Sequence, residues 1–245
     1  MNIEYYKLWS TNLNRDMEMK VYGHAGKPVV VFPSGCGRFY EFEDFHMVEA
    51  VQWFVEQGKI RLYTVDSVDC ESWMAYWAYA GDRGWRHQQY DRYVVEELTP
   101  FIREHSGTTA KFMATGCSMG AYHAANFFFR HPDIFDTTIA LSGLYAPQYF
   151  VGSYMDDNVY FNFPLLYLPG LTDPWYLDQY RASTIIICTG LGAWEEDCIR
   201  ETRALEDILK RLNVPATIDY WGHDVNHDWP WWQKQLPYFL SKLEL

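Results

Sequence analysis

A serine, an acid and a histidine, met in that order along a chain, can carry out nucleophilic acyl chemistry. A serine hydroxyl is a weak nucleophile at neutral pH. It needs a base within hydrogen-bond reach, and the base needs an acid to orient it. This sequence supplies candidates for all three. Ser118 is the centre of Gly116-Cys117-Ser118-Met119-Gly120. Three adjacent carboxylates, Glu195, Glu196 and Asp197, follow the apolar run 183–190. Two histidines, His223 and His227, follow the run 216–221 and stand just before Pro230.

The pentapeptide is a G-x-S-x-G turn. Residues 111–115 before it are short and largely apolar, as in a buried strand, and residues 121–130 after it are rich in Ala and aromatics, as in a helix. A turn this tight leaves no room for side chains beside the central residue, so glycine is required at both ends. It lifts the Ser118 hydroxyl clear of the backbone. The alternative is an ordinary strand-to-helix turn in which Ser118 only caps the helix.

His227 is the expected base, because it lies where the loop turns back over the sheet edge next to the helix that Pro230 helps to start. His223, directly at the strand end, reads as a bracing histidine. Two histidines four apart can hold a metal from one helix face, but Gly222 and Pro230 make this segment a loop. Neither a metal nor a cofactor is expected. Glu196 is the expected acid, with Glu195 as the alternative and Asp197 third. Adjacent carboxylates usually mark a solvated helix start, so at most one of them is catalytic. The oxyanion of a tetrahedral intermediate needs donors. One is the backbone N–H of Met119; the other is Cys36 or its neighbour Gly37, in the loop after the run 29–33.

These residues need elements to position them. Strands are expected at 29–33, 61–66, 111–115, 137–143, 183–190 and 216–221, and helices at 43–57, 90–104, 121–130, 201–212 and 230–243. The strands are continuous apolar runs, the pattern of strands buried on both faces. Alternation of strands with helices predicts one three-layer α/β domain over 1–245, with a mostly parallel sheet. Residues 145–180 are irregular and aromatic, and read as a cap or loop insertion over a pocket.

Composition narrows the function classes. The chain has 245 residues and a net charge of -12, which argues against nucleic-acid binding. No apolar run is long enough to span a bilayer, and the N-terminal residues lack an apolar signal core. The 5 cysteines show no metal-ligand spacing and read as free thiols in a reducing cytoplasm. The 11 Trp, 19 Tyr and 15 Phe exceed what a core alone needs and point to a homo-oligomer interface.

The chain resembles a known family through three segments: Gly116-Cys117-Ser118-Met119-Gly120, Ser34-Gly35-Cys36-Gly37 and His227-Asp228-Trp229-Pro230-Trp231-Trp232. They are similar to those of the putative-esterase branch of the α/β-hydrolases, which includes esterase D (S-formylglutathione hydrolase), feruloyl and acetyl-xylan esterases, enterochelin esterase and the antigen 85 mycolyltransferases. The resemblance spans roughly residues 25–243. It implies that the histidine before Asp-Trp, here His227, is the base. The family's acid often precedes a proline; Asp197 occupies that place here, which favours Glu196 and leaves Glu195 open. The family's His-Gly in the oxyanion loop is Ser34-Gly35 in this chain, and polybasic substrate-binding segments are absent. The implied activity is hydrolysis of a small acyl ester by a serine carboxylesterase. An acyltransferase of the same fold, or a non-catalytic relative used for binding or assembly, are the competing functions.

Overall fold

The computed structural model describes all of residues 1–245. Eight strands form one sheet: β1 (Ile3–Ser10), β2 (Arg15–Tyr22), β3 (Lys27–Phe32), β4 (Ile60–Val65), β5 (Phe112–Cys117), β6 (Phe135–Leu141), β7 (Thr184–Thr189) and β8 (Thr217–Tyr220). Their spatial order is β1-β2-β4-β3-β5-β6-β7-β8. Strands β3 to β8 are parallel, whereas β1 and β2 form an antiparallel hairpin laid antiparallel on β4. The expected α/β fold with a mostly parallel sheet is therefore present.

Strand β3 illustrates why its sequence reads as a continuous apolar run. Successive side chains point to opposite faces. Val30 and Phe32 pack with Phe127 and Phe128 of the Met119–Arg130 helix, while Val29 and Val31 pack with Trp232, Leu236 and Phe239 of the closing helix Trp229–Leu240. Both faces are buried under helices, so neither can be polar.

The helical expectations hold less uniformly. The stretch 43–57 is not one helix but three short turns, Glu41–Asp44, Met47–Ala50 and Gln52–Glu56. His46 sits in the left-handed region at φ 57°, which interrupts the helical hydrogen-bond ladder. The helix expected from 90 starts ten residues earlier as Ala80–Arg92, and passes through a π-helical segment, Tyr93–Leu98, into Thr99–Ser106. Its first half lacks an apolar stripe because its buried face carries Arg83 and His87, with the Arg83 guanidinium donating to the Trp73 and Phe150 carbonyls at 3.2 and 2.7 Å. Residues 145–180 contain short helices, including Gln148–Val151, Asp157–Tyr160 and Pro174–Arg181. Phe150, Val151, Val159 and Phe163 from this segment pack on Trp73, Met119 and Tyr122.

Candidate active site

The turn after β5 has the expected form. Ser118 adopts φ 56° and ψ -119°, immediately before the Met119–Arg130 helix, and its backbone N–H donates to the Leu141 carbonyl of β6 at 2.9 Å. A Cβ on Gly120 would fall 2.2 Å from the Phe32 carbonyl oxygen, so only glycine lets this helix start so close to β3. The Ser118 side chain makes no cap hydrogen bond to the helix, unlike an ordinary capping serine. It lines a cavity of about 270 Å³ together with Gly35, Met74, Met119, Phe150 and His227. Cys117, its neighbour in the pentapeptide, is buried on the opposite side among Met113, Ile139 and Trp232, and burial pushes its thiol pKa well up.

The loops after β7 and β8 are sewn to each other. Gly192 N–H donates to the Val225 carbonyl at 2.9 Å, His227 N–H to the Ala193 carbonyl at 3.0 Å, and Ala193 N–H to the Asn226 side-chain oxygen at 2.9 Å. A Cβ on Gly190 would lie 2.0 Å from the Val225 carbonyl oxygen. This close approach sets His227 in place. Its Nδ1 lies 3.3 Å from Oε2 of Glu195, and its ring stands edge-on to Trp232 with centroids 5.0 Å apart.

Glu195, not Glu196, is the carboxylate that meets the histidine. Glu195 is fully buried and accepts from Ser142 Oγ at 2.6 Å, Thr189 Oγ1 at 2.9 Å and Gly190 N–H at 3.3 Å. Trp232 Nε1 in turn donates to Ser142 Oγ at 3.1 Å. Glu196 is exposed and opens the Glu196–Arg211 helix. The preference for Glu196 is thus corrected by geometry. Trp194 turns the chain at φ 68°, which directs Glu195 inward and leaves Glu196 and Asp197 at the solvated helix start. Asp197 lines the cavity rim and pairs with Arg200. His223 is exposed in the β8 loop and makes no hydrogen bond, so the expected bracing role falls to the backbone contacts above. Ser142 and Thr189 carry no motif of their own and are marked in the sequence only by their position at strand ends, whereas Trp232 lies in the resembling segment 227–232 with no role attached to it there.

On the opposite side, Met119 N–H is the first of its helix and has no helical acceptor. In the loop after β3, Gly37 N–H is committed to the Ser34 carbonyl at 2.8 Å, which leaves Cys36 N–H as the candidate donor of the pair. The loop is held by Glu41, whose carboxylate accepts from Ser34 N–H at 2.7 Å and Ser34 Oγ at 2.6 Å. Burial raises the Glu41 pKa, with the Ser34 hydrogen bonds opposing the shift. The free-thiol expectation fails for two cysteines: Cys36 is disulfide-bonded to Cys70, with Cα atoms 5.2 Å apart. Cys117, Cys188 and Cys198 are free and buried.

This arrangement can do acyl-transfer chemistry: a raised hydroxyl, an imidazole lining the same cavity, a buried carboxylate behind that imidazole, and unpaired backbone N–H groups nearby. Comparison with known proteins agrees. Residues 10–243 match the profile of the family described as "Putative esterase". No curated protein matches the chain by sequence. Among solved structures, the chain is similar to a ferulic acid esterase, with a TM-score of 0.76 at 16% identity, covering 98% of this chain and 96% of that one. A fluorophosphonate-binding serine hydrolase of Staphylococcus aureus gives 0.70 at 16% identity over 98% and 97% of the two chains. An S-formylglutathione hydrolase of Agrobacterium tumefaciens gives 0.72 at 16% identity over 98% and 93%. At this identity the likeness establishes the α/β-hydrolase fold. No helix is long and apolar enough to cross a membrane.

Proposed function

The chain belongs to the putative esterase family, and from that premise we propose that it is a serine carboxylesterase working through Ser118, His227 and Glu195. Ser118 Oγ attacks the ester carbonyl while His227 Nε2 takes its proton. Glu195 holds the Nδ1 proton and stabilises the imidazolium. Met119 and Cys36 N–H groups receive the oxyanion. His227 then gives its proton to the leaving alcohol, an acyl-enzyme forms on Ser118, and water activated by the same histidine releases the acid. The observation that carries this reading is the buried Glu195 behind a histidine that shares the Ser118 cavity.

The cavity, about 270 Å³, is at the small end of ligand pockets, which supports a short acyl group. The test is hydrolysis of p-nitrophenyl esters of graded chain length. Short esters should turn over fastest, and Ser118→Ala should lose about a thousandfold or more. Undiminished turnover by Ser118→Ala, or a preference for long chains, contradicts the reading. Self-association is also part of the proposal. Much of the aromatic load fills the core, but Trp9, Trp53, Trp77 and Trp85 are exposed and offer interface material.

A further inference from the structure

One nucleophilic side chain in this site has no part in the proposed reaction. Cys198 stands in the first turn of the Glu196–Arg211 helix, three residues after Glu195, and is a free thiol. Its Sγ lies 3.8 Å from His227 Nδ1, the same nitrogen that faces Glu195 Oε2 at 3.3 Å. The three ligand atoms of Glu195, Cys198 and His227 all lie within 4.8 Å of one another. A tetrahedral zinc ion with ordinary bond lengths, about 2.3 Å to sulfur and about 2.0–2.1 Å to nitrogen and oxygen, spaces its ligand atoms about 3.3 Å apart for N and O, and about 3.5 Å for S and N. The S–N and N–O pairs, at 3.8 and 3.3 Å, already stand near those spacings. Cys198 and His227 also line the Ser118 cavity, so an ion can arrive from the substrate side and keep one coordination position open toward it.

We propose that Glu195, Cys198 and His227 form an inhibitory site for a thiophilic divalent cation, zinc fitting best by donor set and spacing. A thiolate, a carboxylate and a neutral imidazole give the ion two negative charges, which balance its own. On binding, the Cys198 thiol releases its proton to solvent. The ion takes the lone pair of Nδ1, and the imidazole proton resides on Nε2. An imidazole protonated at Nε2 cannot accept the Ser118 proton, and Glu195 no longer orients it. The site itself rests on geometry; its inhibitory effect rests on the esterase reading above.

Cobalt(II) tests the site without reference to activity. Added to the intact protein in the absence of thiol reductant, it should produce a thiolate-to-cobalt charge-transfer band that zinc displaces and that Cys198→Ala lacks. Circular dichroism checks that the variant keeps its fold. In parallel, micromolar free zinc should lower wild-type ester hydrolysis about tenfold or more, reversibly with chelator, while Cys198→Ala should change less than about twofold against its own zinc-free rate. Absence of the band in the wild type, or band and inhibition that persist undiminished in Cys198→Ala, overturns the proposal. A wild type that shows the band but hydrolyses no ester supports the metal site and removes the esterase reading instead.

Discussion

On one side of the Ser118 cavity, the loops after β7 and β8 are joined by backbone hydrogen bonds, and Glu195 is locked by Ser142, Thr189 and Gly190. On the other side, the loop holding Cys36 is tied to its surroundings by side chains: the Glu41 carboxylate at Ser34 and the disulfide to Cys70. In the proposed reaction the first wall carries the base and acid, whose tautomer and direction must be correct for any turnover. The second carries the proposed oxyanion donor, whose displacement would weaken transition-state stabilisation by degrees. Damage to the two walls should therefore differ in kind.

The largest effects belong to the first wall. Glu195→Gln should lower kcat about a thousandfold or more, since the wrong tautomer of His227 is then favoured, and His227→Ala should abolish turnover. Their exposed neighbours serve as controls: Glu196→Gln and His223→Ala should stay within about twofold in the same ester assay. Reversal within either pair would move the acid or base to the exposed neighbour.

Opening the Cys36–Cys70 disulfide should act on the second wall. A Cys36→Ala/Cys70→Ala variant should lose about tenfold in kcat, less than full loss of an oxyanion donor, with little change in KM. It should also lose about 3–4 kcal/mol in denaturant unfolding, the loop entropy expected for a sequence separation of 34. A loss as large as that of Glu195→Gln would show that both walls are equally demanding.

The smallest effect is electrostatic. Burial raises the pKa of Glu41 above its ordinary value of 4.5 in the folded state. Its stability contribution is therefore full when it is protonated in both states and is lost as pH rises through the folded value. Glu41→Gln removes this dependence. The wild type should thus lose stability relative to the variant as pH rises above the ordinary value of 4.5, by denaturant unfolding at a series of pH values. A gap that is constant with pH contradicts the assignment.

The same division governs what the sequence reveals. The parallel strands were legible because both faces are buried, which forces uninterrupted apolar runs such as Val29 to Phe32. The β1–β2 hairpin was not, because β1 is an edge strand with mostly exposed side chains and no such run. The turn at Ser118 was legible because it demands glycines on both sides. The choice between Glu195 and Glu196 was not: it depends on the left-handed Trp194 and on where the next helix begins, and neither leaves a mark on three consecutive carboxylates. The partner of Cys36 lies in a separate segment 34 residues away, and only the fold brings Cys70 to it.

In the proposed reaction Ser118 is the activated nucleophile of a site in which His227 and Glu195 serve as base and acid. Fluorophosphonate labelling followed by peptide mass mapping tests it most directly. A single adduct is expected on Ser118 in the wild type, none in Ser118→Ala, and markedly slowed labelling in both His227→Ala and Glu195→Gln. Labelling of another serine, or unslowed labelling of Ser118 in those two variants, would contradict it.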